Sequence, residues 1–503
     1  MITRRELLKQ GGLAGAGLAL GGVGLPGPAR GSNHRRVTIA QGVDIISWDP
    51  YGHSVSTNYG QWLHVMEALV SWDYDRKRYV PSLAESWKAE GNTWTFGLRR
   101  GVRFHSGDPL TARDVAYSYE RIKRSPQQGA VMREVREVKV LDDHTVQVVT
   151  HKPAASFIAR LTNRVILSEQ AARKYGADMD RHPIGTGPFR FVEWARGSHF
   201  TMRRHEGYWG SPAQVDTLVW KPIPEDAARV TAIESGGADI ISNVPPHEVE
   251  RLERHPDIRI DKIRGDRIMF LTLSPRFKPF QDRRVRLAMN HAIDVDSLIK
   301  FVLDGRAYRL VGPVGPSVFG YDPSLKPYPY DPARAKQLLA EAGYPNGFEV
   351  DFHSPSGRYL KDREIAQAVA GQLAKVGIRA RLITPEWSIL WSEFTAGKYS
   401  FVQIGRGDVV DGDEYLTQYF GTNVTKRLGY SNPQLDRLLD EQRQIFDQDR
   451  REKVLQQAVR LIHEEAPCVF LYNFQDLYGS RKRVTWKPQP NEYILMWRAS
   501  LRG

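Results

Sequence analysis

The chain has 503 residues, 41% hydrophobic and 26% charged, which is enough for about two to four domains and excludes both a disordered tail and a polytopic membrane protein. Its single cysteine, Cys468, excludes an internal disulfide framework and a cysteine-rich metal site. The 71 Lys and Arg residues outnumber the 58 Asp and Glu residues and give a net charge of +13, which points first to an anionic partner such as nucleic acid, a membrane or an acidic ligand.

Residues 1–29 are predicted to be a twin-arginine-type signal peptide. Arg4 and Arg5 precede Leu7-Leu8-Lys9, and an uncharged, glycine-rich stretch follows. Its apolar part is too short to span a bilayer, and Gly27-Pro28-Ala29 offers small residues for cleavage. No cysteine lies nearby to carry a lipid anchor. We therefore expect an exported, soluble periplasmic protein, with an ordinary Sec signal as the alternative.

Short strand patterns alternate with amphipathic helices from Arg35 onward. In Trp94-Thr95-Phe96-Gly97-Leu98 the large apolar residues occupy every second position, which predicts a strand, and Thr145–Thr150 shows a similar pattern. Thr111 is placed to cap a following helix, and Asp114, three residues on, completes a pattern close to a capping box.

The second half of the chain continues this alternation. Asp282 is a predicted N-cap, and Asp331-Pro332 predicts a helix that Gly343 ends. A long helix is predicted over Gln448–Glu465. Mixed strands and helices throughout indicate α/β lobes, and the lack of a low-complexity linker indicates that short crossings join them.

Signatures of enzymes and of nucleic-acid modules are absent or incomplete. The sequence contains no GxSxG, P-loop or HExxH motif. The loop Gly405-Arg406-Gly407-Asp408 begins like a dinucleotide motif but has Val410 in place of the third glycine, and His463 has no second histidine at metal spacing. The basic clusters 283–286 and 481–483 lack interleaved aromatic residues. We predict no catalytic residue, metal, cofactor or nucleic-acid partner; an exported hydrolase and a basic surface protein are the alternatives from other classes.

Four stretches of the chain carry a family pattern. They are residues 81–87 continuing through 94–107 and 110–115; Gly185-Thr186-Gly187-Pro188-Phe189 with Tyr208-Trp209; 280–286 with 292–294; and 330–332 with Ala335-Lys336 and 338–344. In this order they resemble the family 5 extracellular solute-binding proteins of ABC transporters, the dipeptide/oligopeptide-binding group. The resemblance covers nearly all of the chain after the predicted signal.

The resemblance implies the α/β, two-lobed periplasmic binding protein fold of the large peptide-binding subclass. Lobe I would comprise residues 36–262 plus 480–503, with an extra subdomain at 61–178, and lobe II residues 263–479. Such proteins are monomers that close around their ligand by hinge motion, and the membrane permease recognises the closed form. The segment Phe104-His105-Ser106-Gly107 and the glycines 185 and 187 are predicted to be structural rather than ligand contacts.

Two charged residues match positions that bind peptide termini in relatives. Asp408 occupies the position that takes the ligand ammonium, with a turn-capping role as the alternative. Arg358 matches an arginine that meets the carboxylate of dipeptides, which suits its planar donor fork, with a surface loop arginine as the alternative. Relatives often have tryptophan three residues before the aspartate, where this chain has Gly405. The stacking wall is therefore expected either to be missing or to be supplied by Trp387, Trp391 or Tyr415.

The remaining candidates are assigned from their place in the resemblance. Arg406 is a second carboxylate partner, Trp387 lines the cleft or packs in the core, and Asn58 and Tyr59 line the opposite wall. The predicted function is the periplasmic component of an ABC importer that captures short peptides or peptide-like zwitterions and delivers them to permease subunits in the inner membrane. Non-peptide ligands of the same fold remain the alternative: glutathione, an opine, a nickel chelate, haem or an oligosaccharide.

Overall fold

The computed structural model of the protein describes residues 35–52, 56–126, 128–356, 358–385, 387–407 and 409–502. The predicted signal peptide lies outside the described residues, as does Asp408. Among the helices of the described ranges, none combines the length and the apolar character needed to cross a bilayer.

Strands and helices alternate along most of the described chain. The strands are β1 (Arg36–Gln41), β2 (Val70–Asp73), β3 (Arg78–Pro81), β4 (Ala84–Glu90), β5 (Thr93–Leu98), β6 (Val135–Asp142), β7 (Thr145–Thr150), β8 (Phe189–Ala195), β9 (His199–Arg204), β10 (Thr217–Pro222), β11 (Ile240–Ser242), β12 (Ile258–Thr272), β13 (Ala307–Arg309), β14 (Glu349–His353), β15 (Arg379–Ile383), β16 (Phe401–Arg406), β17 (Cys468–Arg481), β18 (Val484–Thr485) and β19 (Ser500–Leu501). The helices are α1 (Ser56–Val65), α2 (Ala112–Arg124), α3 (Phe157–Arg160), α4 (Glu169–Tyr175), α5 (Asp226–Glu234), α6 (Val249–Glu253), α7 (Arg283–Ala292), α8 (Val295–Ser297), α9 (Pro332–Glu341), α10 (Asp362–Ala374), α11 (Trp387–Thr395), α12 (Gly412–Phe420), α13 (Pro433–Arg443) and α14 (Gln448–Glu465). The predicted mixed α/β class is confirmed.

One large sheet connects most of these elements. Its eleven strands follow the order β15-β14-β16-β12-β17-β11-β1-β10-β9-β8, with β13 paired to β17. A four-stranded sheet, β4-β5-β7-β6, lies in the segment predicted to be an extra subdomain, and Trp94 there pairs with Val148. The strands predicted from the alternation at 94–98 and 145–150 are therefore neighbours.

The two longest strands, β12 and β17, run antiparallel through the middle of the large sheet. Their register is irregular between Arg264 and Ile268 and again between Met269 and Phe270. Irregularities of this kind bend and twist a strand. The predicted lobe boundaries, 262/263 and 479/480, fall within these two strands, and the division into lobes stays a prediction.

The predicted helix starts are confirmed by their caps. The backbone N–H of Thr111 donates to Asp114 Oδ2 (2.9 Å) at the start of α2. Asp282 accepts from the backbone N–H of Arg284 at the start of α7, and Asp331 accepts from that of Arg334 at the start of α9. These carboxylates satisfy amide groups that have no partner within the helix.

The glycines of the Gly185-Thr186-Gly187 motif are required by close backbone packing. A Cβ atom at Gly185 would lie 2.1 Å from the carbonyl oxygen of Val65, at the end of α1. The backbone N–H of His105 also donates to the Gly185 carbonyl (2.8 Å). The motif therefore joins two chain segments of the core, which supports the structural role predicted for it.

Candidate functional site

A cavity of about 420 Å³ lies beside the irregular part of strands β12 and β17. It is lined by residues 243–246 that follow β11, by Arg267 of β12, by the loop 358–360, by residues 474–477 of β17 and by Glu492. The segments 243–246 and 358–360 belong to the two different predicted lobes. The cavity is therefore bordered by both predicted halves of the protein, next to the strands that connect them.

Arg358 lines this cavity, and aromatic rings support its guanidinium. The group lies 5.0 Å from the ring centroid of Tyr359 and 5.1 Å from that of Trp387. The backbone N–H of Arg358 donates to Asp362 Oδ2 (2.8 Å), a carboxylate that also accepts from Tyr359 N and so holds the loop at the start of α10. No described carboxylate forms a salt bridge with Arg358. A guanidinium supported by aromatic rings in this way keeps its planar donor fork for an external acceptor.

Trp387 begins helix α11 and lies beside Arg358, but it is not among the residues that line the cavity, and its predicted cleft-lining role stays a prediction. Its ring stacks on Trp391, with a centroid distance of 5.6 Å, and meets Tyr359 edge-on at 5.9 Å. Ile389 of the same helix exposes 55% of its surface, and Leu360 at the cavity exposes 41%. The structure thus brings Arg358 and Trp387 together on an apolar, aromatic surface.

Tyr359, which sequence analysis missed, occupies the space beside Gly405. A Cβ atom at Gly405 would lie 2.5 Å from Met269 Sδ and 3.1 Å from the Tyr359 ring. The backbone N–H of Gly405 donates to the Tyr359 hydroxyl (3.1 Å). The space in front of the Gly405 backbone is therefore filled by an aromatic ring from another loop.

Arg406 and Tyr415 are not among the residues that line the cavity of Arg358; both line a separate, smaller cavity. Arg406 donates to Glu414 Oε1 (3.0 Å). Tyr415 is 2% exposed and packs edge-on against Phe270 (5.9 Å). Its ring is part of the core, and its predicted role as a stacking wall, like that of Arg406 as a carboxylate partner, stays a prediction.

Asn58 and Tyr59 lie on helix α1 and are also buried. Asn58 donates to Gln61 Oε1 (2.9 Å) and accepts from the backbone N–H of Ile46 (3.4 Å). The Arg164 guanidinium lies 5.2 Å from the Tyr59 ring centroid. Neither residue lines the cavity described above, and their assignment to the opposite wall stays a prediction.

Sequence analysis also missed a group of charged residues on the wall of the cavity beside strands β12 and β17. Arg267 Nη2 donates to Glu492 Oε1 (3.2 Å) across a sequence separation of 225 residues. Asp476 of β17 borders the same cavity, and burial raises the pKa of its carboxyl well above the usual range. The sequence feature that could have indicated this group is the polar pair Gln475-Asp476, which lies between the apolar residues Phe474 and Leu477 of one strand.

Chemically, this arrangement offers recognition rather than reaction. The cavity presents the Arg358 cation on an aromatic support, together with the carboxylates of Asp476 on β17 and of Glu492, which suits a ligand that carries both signs of charge. Within the described ranges, no three His, Cys, Asp or Glu side chains are grouped so as to hold a metal ion.

Comparison with known proteins gives consistent matches along the chain. The family model for bacterial extracellular solute-binding proteins, family 5 Middle, matches residues 78–427. The dipeptide-binding protein of Escherichia coli (strain K12) is 29% identical, covering 83% of this chain and 85% of the relative. Heme-binding protein A of Haemophilus influenzae is 30% identical, covering 80% and 81%.

Solved structures share the fold over almost the whole chain. The periplasmic binding protein DppA from Helicobacter pylori, solved in complex with the peptide STSA, superposes with a TM-score of 0.78 at 28% identity. The match covers 93% of this chain and 98% of that structure. The α/β architecture described above is therefore that of a peptide-binding protein structure.

Proposed function

Because this chain belongs to the family 5 bacterial extracellular solute-binding proteins, a family of binding proteins rather than enzymes, we propose that it captures short peptides or peptide-like zwitterions for an ABC importer. In this proposal it works in the periplasm as a monomer, between two lobes divided at 262/263 and 479/480. It then delivers the ligand to permease subunits in the inner membrane.

The observation that carries the peptide assignment is the state of Arg358. Its guanidinium lines the cavity between Tyr359 and Trp387 and forms no salt bridge with a described carboxylate. A ligand carboxylate would supply the missing anion through two parallel charge-assisted hydrogen bonds. Asp408 is proposed to take the ligand ammonium, and Trp387 to line the cleft beside the peptide.

The hinge provides the mechanism of capture. A ligand that touches both halves only in the closed form binds that form more tightly and shifts the population toward it. The bent segments of β12 and β17 connect the two proposed lobes, and the cavity lies beside them. Closure then presents the two lobes to the permease in one fixed arrangement, and peptide release reopens them.

Titration calorimetry and thermal unfolding with a panel of dipeptides to pentapeptides and glutathione test this proposal. Bound peptide should raise the melting temperature, since a ligand at about 100 times its Kd adds about 2.7 kcal/mol to stability. Arg358→Ala should weaken peptide binding about tenfold or more, whereas Arg363→Ala, an exposed arginine of the same segment, should not.

Peptides with an amidated carboxyl end provide the matched ligand control. They should bind wild type and Arg358→Ala equally weakly, because the carboxylate that Arg358 recognises is gone. A panel in which no peptide binds would refute the proposed function and leave a non-peptide ligand, such as haem or an opine, as the alternative to test.

A further inference from the structure

The charged groups that line the cavity are not all paired with one another. Its lining includes the carboxylates of Asp226, Asp476 and Glu492. Asp226 pairs with Arg229, and Glu492 accepts two hydrogen bonds from Arg267, at 3.3 and 3.2 Å. Asp476 accepts no hydrogen bond from a described residue.

One oxygen of the Asp476 carboxylate is buried without a donor, although the residue as a whole is partly exposed. Its Oδ2 atom is inaccessible to solvent and has no hydrogen-bond partner among the described residues. Burial raises the pKa of this carboxyl, and the charges of Glu492 and Asp266 raise it further against the smaller opposing effect of Arg267. Buried acceptors in folded proteins are nearly always satisfied, so a carboxylate with no donor among the described residues is unusual. Because Oδ2 is closed off and Asp476 lines the cavity, a bound molecule reaches this carboxylate through its other oxygen.

The facing strand leaves space for this carboxylate. Gly265 of β12 lies in the segment of irregular register opposite Asp476, and a Cβ atom there would lie 2.5 Å from Asp476 Oδ2. Any other residue at this position would push the carboxylate aside. The irregular segment and its glycine therefore hold an unpaired acid at the wall of the cavity.

We propose that Asp476 binds a cationic side chain of the ligand, so that the protein selects peptides with a basic residue at their carboxyl end. This inference rests on the proposed function, in which Arg358 takes the ligand carboxylate and Asp408 its ammonium. Asp476 lines the same cavity as Arg358, so the cation that it binds lies close to the carboxylate of the ligand. This cation is a third charged group of the ligand, besides its carboxylate and its ammonium. A lysine ammonium or an arginine guanidinium has this chemistry.

Calorimetric titration of wild type with Ala-Lys and with Ala-norleucine isolates this charge, because the two side chains differ mainly in the ammonium. Ala-Lys should bind about tenfold more tightly or better, as one charge-assisted hydrogen bond implies. Asp476→Asn should remove this preference while keeping the affinity for Ala-norleucine. Asp304→Asn, the same change at an exposed position outside the cavity, should keep the preference.

Dipeptides with the reversed residue order test whether the cation must lie on the carboxyl-terminal residue of the ligand. Lys-Ala and norleucine-Ala should bind wild type with similar affinity, because their side chains lie at the ammonium end. Equal affinities for Ala-Lys and Ala-norleucine, a preference that persists in Asp476→Asn, or a preference confined to Lys-Ala would each overturn the inference while leaving peptide binding intact. Failure of every dipeptide to bind would instead refute the proposed function.

Thermal unfolding without ligand tests whether Asp476 has a structural role instead. Because Asp476→Asn removes a partly buried acid that has no hydrogen-bond donor among the described residues, its melting temperature should equal or exceed that of wild type. A clear fall in melting temperature would show that the carboxylate stabilises the fold, and would overturn its assignment as a ligand anchor.

Discussion

Arg451 of helix α14 holds the carboxylate of Asp411 in a two-pronged, buried ion pair. Its Nη1 donates to Asp411 Oδ2 at 2.5 Å and its Nη2 to Oδ1 at 2.7 Å, with side-chain exposures of 3% and 1%. The Tyr79 hydroxyl donates to the same Oδ2 (3.0 Å). Because Tyr79 belongs to the predicted extra subdomain and the ion pair to predicted lobe II, this network links two distant parts of the chain.

Arg451→Ala should therefore lower the free energy of unfolding by about 3–5 kcal/mol, because it leaves the Asp411 charge buried without its partner. Urea unfolding followed by circular dichroism measures this loss. Arg450→Ala changes the neighbouring, exposed arginine of the same helix and should cost less than about 0.5 kcal/mol. Similar losses in the two variants would contradict the importance given to the pair.

The pH dependence of stability should contain a contribution from Asp413. Burial alone would raise the pKa of this carboxyl, but Arg443, which donates to both its oxygens, holds the pKa at about 2, below the ordinary value of 3.8. A carboxyl with a lowered pKa in the folded state stabilises the protein above the unfolded pKa, and this stabilisation is lost as pH falls toward 2. We expect roughly 2 kcal/mol of wild-type stability to disappear over this window.

Arg443→Ala should reverse the sign of that contribution. Without the guanidinium, burial raises the pKa of Asp413, so the variant is destabilised more at about pH 7 than at about pH 3. Urea unfolding at both pH values measures the difference. Arg437→Ala, an exposed arginine of the same helix α13, should show the same small effect at both; a pH-independent loss in Arg443→Ala would contradict the assignment.

Sequence patterns predicted the local elements well, because each depends on a few neighbouring residues. The cap at Asp331 and its following proline needed only the order of residues along the chain, and Gly343, past the end of α9, has the positive φ (89°) expected of a helix terminator. The predicted helix Gln448–Glu465 matches α14 for the same reason.

The wall of the site depended instead on which distant residues meet. Glu492 and Arg267 are far apart in sequence. They meet because β12, which carries Arg267, pairs with β17, and the chain after β17 and β18 brings Glu492 back to it. The burial of a side chain also depends on distant parts of the chain. Asn58 is a polar residue of α1, yet its side chain is completely buried and accepts a hydrogen bond from the backbone of Ile46. Neither fact can be obtained from periodicity or capping signals.

Glu67 gives a second pH-dependent contribution, of opposite sign to that of Asp413. Three donors from the second stretch of the family pattern bind its carboxylate: the Thr186 hydroxyl (2.8 Å), the Tyr208 hydroxyl (2.7 Å) and the Trp209 indole N–H (2.8 Å). Burial nevertheless raises the pKa of this carboxyl from 4.5 to about 7, because the hydrogen bonds offset the desolvation only in part.

Stability due to Glu67 is therefore fully present below the unfolded pKa of 4.5 and is lost as pH rises toward 7. We expect a loss of roughly 2–4 kcal/mol between about pH 5 and pH 8 in wild type, and a smaller change in Glu67→Gln, which does not ionise. Urea unfolding across this range measures both. Glu85→Gln, at an exposed position, should retain the wild-type pH dependence, and an unchanged profile in Glu67→Gln would contradict the assignment.

The close packing of Gly185 on the end of helix α1 predicts a large cost for any side chain there. Gly185→Ala would place a Cβ atom 2.1 Å from the Val65 carbonyl oxygen and 2.7 Å from Met66 Cα, both of them backbone atoms that cannot move aside without distorting the helix end. We expect the free energy of unfolding to fall by about 2–3 kcal/mol or more, as for overpacked cores. Gly371→Ala is the matched control, because this glycine lies inside helix α10 and a methyl group there would meet no described atom within 4 Å outside its own helix. Alanine should therefore stabilise this helix by about 0.5–1 kcal/mol. Urea unfolding of the two variants should therefore give shifts of opposite sign, and a neutral Gly185→Ala would show that the motif does not serve this packing.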